Sequence, residues 1–249
     1  MTVKANYKTV TERSYRQLVR GRLTPMRVTV QETDLSVYGD GLQADDIKDA
    51  VIAHRGYLEG YIRRYPKFAQ TLTPWPEDAL APLIVQQMIQ AGQRAGTGPM
   101  AAVAGAVSER VGTDLLGRTD EVIIENGGDI FIKTSHPLVV GIFAGHSPLS
   151  LKMGLQIEAS DMPTSVCTSS GSVGHSLSKG RADAVCVISN SCALADAAAT
   201  AIGNRVTNHQ DIQPAIRWGR TIEGVGGILV IVGDKMGVWG RIRLKPLRA

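Results

Sequence analysis

Apolar and polar residues alternate at Met26, Val28 and Val30, and again at Leu35 and Val37. That is the period-two signature of a half-buried strand. With a turn near Thr33 and Asp34, the two runs predict an antiparallel hairpin with one face in solvent. From residue 44 the period lengthens. Ile47, Val51, Leu58, Ile62 and Tyr65 fall on one helical stripe, Asp45 and Asp46 occupy the first turn, and Pro66 ends the run, so a helix is predicted over 44–65. The Pro-rich stretch 71–76 is the clearest joint in the chain. A second helix is expected over 77–95, started by Pro76, whose fixed φ suits a first helical turn. The Gly96-Thr97-Gly98-Pro99 interruption then leads to a third helix over 100–116. Its first half, 101–106, carries almost no side-chain bulk, so another backbone or a ligand can come close.

Beyond Arg118 the pattern turns to strands, expected at 121–125, 129–133, 138–143, 165–168 and 184–189. An Ala-rich helix over 193–205, a short helix over 208–218 and a terminal hairpin (227–232, a Gly233-Asp234 turn, 237–243) complete the reading. This mixture predicts an α+β fold with helices packed on an antiparallel or mixed sheet.

Composition narrows the function classes. The chain has 249 residues, 43% hydrophobic and 20% charged, an ordinary balance for a globular protein. Aromatic residues make up only 5%, so the core must rest on aliphatic side chains and close backbone contacts. The net charge of +4 gathers at the two ends, at Lys4, Lys8, Arg13, Arg16, Arg20 and Arg22 and at Arg241, Arg243, Lys245 and Arg248. No helix-turn-helix, zinc-finger or RNP signature accompanies it, so no nucleic-acid partner is expected and the excess reads as solubility chemistry. No run of eighteen apolar residues predicts a membrane span. The first 22 residues lack the apolar segment of an export signal, and Cys167, Cys186 and Cys192 lack C-x-x-C spacing. Together these predict a cytoplasmic protein without disulfides or a zinc ribbon.

Three segments could carry chemistry. Asn126-Gly127-Gly128-Asp129 joins two predicted strands. It reads equally as a plain hairpin turn or as a close approach to a ligand with Asp129 as acceptor. The run from Cys167 through Thr168, Ser169, Ser170 and Gly171 to His175 crowds hydroxyls and glycines after a strand. It is either a polar loop or an anion cradle, with His175 a candidate general base. In the Ala-rich helix Asp196 and Thr200 lie one turn apart on one face. A carboxylate among small apolar residues needs a partner: either backbone N–H groups of a neighbouring segment or a hard cation such as Mg²⁺. Cys167 reads as a small buried hydrophobe rather than a nucleophile. His54, His136, His146 and His209 have no metal-ligand spacing.

In this order the three segments resemble the ApbE family of FAD-dependent flavin transferases. That family shows an Asn-x-Gly-Gly-Asp turn, a Thr-Ser-Gly loop, a histidine segment and an Ala-Asp-Ala-x-x-Thr-Ala helix. They are matched here by Asn126 with Gly127-Gly128-Asp129, by Thr168-Ser169-Ser170-Gly171, by His175, and by Ala195-Asp196-Ala197 with Thr200-Ala201. The small-residue stretch 100–106 is similar to a further family element. The whole chain looks like one ApbE-like domain of a short branch, with residues 1–73 forming an N-terminal hairpin and helix and residues 74–249 carrying the motifs.

The resemblance implies Mg²⁺-dependent transfer of FMN from FAD to a protein threonine or serine. Asp196 and Thr200 would bind the metal, with a backbone carbonyl near Ala102 as a third ligand. Asn126, Gly127, Gly128, Asp129, Thr168, Ser169, Ser170 and Gly171 would hold the cofactor, and His175 and Asp196 would act in catalysis. The partners expected are a phosphate-bearing small molecule, a protein acceptor and a second copy in a homodimer. The alternative is a module of the same fold that binds a flavin or nucleotide without turning it over.

Overall fold

The computed structural model describes residues 25–171 and 180–247. Among them an eight-stranded sheet runs in the order β1-β2-β3-β4-β7-β8-β9-β10, with every neighbouring pair antiparallel. Its strands are β1 (Met26–Val30), β2 (Thr33–Tyr38), β3 (Val122–Asn126), β4 (Asp129–Lys133), β7 (Thr164–Ser169), β8 (Ala184–Ser189), β9 (Val225–Val232) and β10 (Lys235–Gly240). A second sheet, in the order β11-β6-β5, comprises β5 (Leu138–Gly141), β6 (Met153–Ile157) and β11 (Leu244–Pro246). The helices are α1 (Ala44–Arg64), α2 (Leu83–Ala95), α3 (Val103–Leu115), α4 (Cys192–Gly203) and α5 (Ile212–Gly219).

The connections decide which face of the large sheet each element covers. The chain between β2 and β3 supplies α1–α3, and the chain between β8 and β9 supplies α4 and α5. All five build a helical layer on one face. The excursion between β4 and β7 supplies β5 and β6, which cover the other face. The central strands are therefore buried on both sides, which explains why β8 reads Ala-Val-Cys-Val-Ile-Ser with no polar alternation. Val185 and Val187 meet the helices, while Ala184, Cys186 and Ile188 meet the small sheet. Alternation continues in β9, with Ile228 and Val230 on the helical side and Leu229 and Ile231 on the other. The N-terminal hairpin and α1 share the helical-side core with the later elements.

The predicted α+β class and helices on an antiparallel sheet hold. Several boundaries do not. The first hairpin turns at Gln31-Glu32, and Thr33 and Asp34 already pair with Val30 and Thr29. Nor is one face of that hairpin wet along β2. All six of its residues are buried, because β2 lies between β1 and β3 and Arg27 folds over Asp34 at 2.9 Å. The second helix begins after Pro82 rather than at Pro76. Residues before it are wound into turns held from elsewhere. Asp78 accepts from Leu80 N and from the Tyr61 hydroxyl, and the Gln86 amide donates to the Ala79 and Ala81 carbonyls. The third helix is preceded by a 3₁₀ turn, Pro99–Ala102. Strands β6 and β11 had no predicted counterpart. β6 carries Gly154 as its second residue and β11 is three residues long, so neither shows a usable period.

The two-sided burial is directly testable. Ile132 is fully buried under the small sheet. Ile132→Ala should lower unfolding free energy by about 2–5 kcal/mol, read from the denaturant midpoint. A cost under about 1 kcal/mol would mean that this face is not packed.

Candidate functional site

The site is assembled where the start of α3 crosses α4 above strands β4 and β7. The 126–129 segment is a two-residue hairpin turn, with Gly127 and Gly128 at φ 68° and 104°, where a side chain would be strained. The turn sends both flanking side chains to the helical face. The Asn126 amide donates to the Ala104 carbonyl at 3.2 Å. The Ser108 hydroxyl, donating toward the Asp129 and Ala104 carbonyls at 3.1 Å each, ties α3 to the same hairpin.

Asp129 is 7% exposed, and its Oδ1 is buried without a hydrogen-bond partner among the described residues. Burial, then the nearby charge of Asp196, pushes its pKa well above the usual carboxylate range, although a hydrogen bond with the Cys167 thiol pulls the other way. Asp129 therefore keeps its proton to a higher pH than an ordinary carboxyl.

α4 is so apolar that every residue from Cys192 to Gly203 is buried except Asp196 and Thr200. These two, one turn apart, are half-buried and mark the least covered strip of the helix. Asp196 Oδ2 accepts from the Gly105 N–H at 2.9 Å. Burial raises its pKa to about 7, against the pull of the Gly105 and Ala104 backbone N–H groups. Of the two alternatives for this carboxylate, the backbone N–H groups of a neighbouring segment are present, and the residue stays half-buried rather than sealed. α3 comes this close because position 105 lacks a side chain. A Cβ there would collide with the Cys192 carbonyl. Ala102 lies fully buried at the end of the 3₁₀ turn that packs on α4.

The hydroxyl run divides. Thr168 and Ser169 belong to β7 rather than to a loop. Ser169 faces the helices, and its Oγ is buried without a hydrogen-bond partner among the described residues. Thr168 turns to the opposite face, its hydroxyl donating to the Cys186 thiol at 3.3 Å, so the sheet separates it from the carboxylates. Ser170 is half-buried and Gly171 exposed. His175 lies outside the described residues. Among those described, no three His, Cys, Asp or Glu side chains converge on a metal position.

A model of the family described as AbpE bacteria matches residues 16–232. The chain belongs to this family. It is 40% identical over 216 residues to a UPF0280 protein of Methanosarcina acetivorans, covering 86% of this chain and 85% of that one. It is 41% identical over 214 residues to one of Methanocella arvoryzae, covering 86% and 87%. In fold it is similar to the flavin transferase ApbE from Vibrio cholerae, in a variant form, with TM-score 0.55 and 12% identity over 88% of this chain and 97% of that one. It is likewise similar to the flavinyl transferase ApbE of Pseudomonas stutzeri, with TM-score 0.54 and 15% identity over 89% and 95%. The ApbE-like fold inferred from the motifs is thus present in this AbpE-family chain.

Sequence reasoning missed two features of the site. Glu109, one turn beyond Gly105, reaches the first residues of α4; its signal was an acid on the same face as a small-residue stretch. The other is a thiol pair, Cys167 and Cys192, whose sulfurs stand 3.5 Å apart beneath Asp129 and Asp196. Burial, together with nearby groups, raises both thiols, which agrees with the expectation that Cys167 is not a nucleophile.

Two outcomes follow for the AbpE-family chain. All three cysteines are buried, so the native protein should react with a thiol reagent at pH 7.5 far more slowly than the same protein in denaturant, which should titrate three thiols. Rapid labelling of one thiol in the native state would contradict the burial. The second outcome concerns pH. A carboxyl raised on folding keeps a proton that the unfolded chain has lost, so its contribution is fully present below about pH 4 and is lost by about pH 7. Asp196→Asn should flatten part of that decline, measured as unfolding free energy between pH 4 and 8. An unchanged slope would show that Asp196 ionises normally.

Proposed function

We propose that this AbpE-family protein is a Mg²⁺-dependent transferase that acts on FAD and moves the FMN portion to a hydroxyl of a protein acceptor. The observation that carries this reading is the half-buried pair Asp196 and Thr200 on an otherwise buried helix, beside a buried carboxyl, Asp129, with an oxygen that has no hydrogen-bond partner among the described residues. These residues fit a hard cation. Asp196 and Thr200 would hold it, joined by a main-chain oxygen near Ala102. Magnesium, when bound, supplies charge that polarises the pyrophosphate and offsets negative charge growing on its oxygens.

The chain's own residues supply the rest. The Gly105 N–H anchors Oδ2 of Asp196, and the Ala104 N–H adds to the backbone hold on this carboxylate. Asp129, whose burial favours the protonated form, can in that form donate a hydrogen bond to a phosphate or ribityl oxygen instead of repelling it. The Gly127-Gly128 turn keeps side chains away from the path of the ligand. In the transfer, the acceptor hydroxyl oxygen bonds to the flavin-bearing phosphorus, the phosphoanhydride bond breaks and AMP leaves. His175 takes the proton of the acceptor hydroxyl.

Titration calorimetry of metal-stripped protein tests the reading. FAD should bind in the presence of Mg²⁺, and binding should weaken by about tenfold or more in Asp196→Asn and in Thr200→Val. Because the cation competes with a proton on Asp196, Mg²⁺ affinity should rise with pH up to about 7 and level off above. Absence of FAD binding with Mg²⁺ would overturn the proposal. Binding without any release of AMP in the presence of a threonine-containing acceptor would identify a flavin-holding module instead.

A further inference from the structure

α3 and α4 run antiparallel at the site and are clasped twice, each clasp being a carboxylate of one helix on the backbone N–H groups of the other. In the first, Asp196 of α4 accepts from the Gly105 N–H in the first turn of α3, at 2.9 Å. In the second, Glu109 of α3 reaches the start of α4, where its Oε2 accepts from Cys192 N at 2.7 Å, Ala193 N at 3.3 Å and the Ser191 hydroxyl at 3.2 Å. Both spacings are four residues, from Gly105 to Glu109 along α3 and from Cys192 to Asp196 along α4, so the clasps sit one turn apart. The first N–H groups of a helix lack partners of their own, and a carboxylate there is favoured by the helix dipole as well.

Ser191 already caps α4 locally, accepting from Leu194 N at 3.3 Å. Glu109 is thus not needed merely to begin the helix. What it adds is the placement of α4 relative to α3, and its other oxygen is held in turn by the Gln87 amide of α2 at 3.3 Å. We propose that Glu109 is the positioning residue of the site: by holding the N-terminus of α4 against α3, it sets the Asp196 carboxylate on the Gly105 N–H. Its reach toward a cation rests on the function proposed above; its hold on Gly105 and Asp196 does not.

The test compares Glu109→Ala, Glu109→Gln and Ser191→Ala with the parent protein. The first readout is the hydrogen exchange of the Gly105 amide relative to those of Val111 and Leu115 in the same helix. The second is Mg²⁺ affinity by calorimetry. Glu109→Ala should speed exchange at Gly105 by about tenfold relative to the other two amides, the size expected for one lost cap, and weaken Mg²⁺ by a similar factor. Glu109→Gln, which keeps an acceptor oxygen, should recover most of both. Ser191→Ala should lower overall stability without singling out Gly105.

A uniform rise across all three amides in Glu109→Ala, or no change at Gly105, would overturn the proposal. If Glu109→Ala fails to fold, Glu109→Asp replaces it. The shorter chain cannot reach Cys192 without moving α4, so Gly105 must again be singled out. Should the parent protein bind no Mg²⁺, the proposed function falls while the Gly105 readout still decides the role of Glu109.

Discussion

The site depends on how closely α3 and α4 approach. Backbone meets backbone at Gly105 and Cys192, a contact that a single methyl group would block. Only at that separation can Asp196 reach a main-chain N–H of α3 and Glu109 reach the start of α4. The run of small residues at 101–106 and the Ala-rich α4 are two halves of one requirement. Side-chain bulk is given up on both helices, and charged contacts to backbone groups hold them together where apolar packing alone would be thin.

Placing carboxyl groups in such a spot is costly, and the protein resolves the cost differently for its two. Asp196 keeps backbone donors and sits near the balance point of its titration at neutral pH. Asp129, with one oxygen buried without a hydrogen-bond partner among the described residues and a second acid nearby, has its pKa pushed well above the usual carboxylate range. The two acids therefore feel burial differently, an asymmetry set by their backbone partners and by each other. The platform beneath is stiff. β4, β7 and β8 are interior strands covered on both faces, and the thiol pair Cys167 and Cys192 fills the space under the acids.

Much of this could be read from the residues. The periods of α1 and β8, the Asn-Gly-Gly-Asp hairpin turn and the isolation of Asp196 and Thr200 on an apolar helix are local patterns, and local propensity acts where they lie. The mixture of helix and strand patterns pointed to the α+β class, and the family's motif order to the ApbE-like fold. Elements whose signals are weak or borrowed went astray. Pro76 looked like a helix start, yet the turns before Pro82 are held by side-chain contacts from Tyr61, seventeen residues back from Asp78, and from Gln86, which no periodicity signals.

What the sequence determined by itself was which residue types could serve: a carboxylate one turn from a hydroxyl, glycines where no side chain fits, and buried rather than reactive cysteines. What only the tertiary structure decided was their company. Alternation along β7 sends Ser169 to the helices and Thr168 to the far side of the sheet, a choice set by register and by which face each crossover covers. The second partner of each clasp lies more than eighty residues away along the chain. No periodicity encodes such a pairing, because it arises only when two helices from different crossovers are laid side by side on the same face.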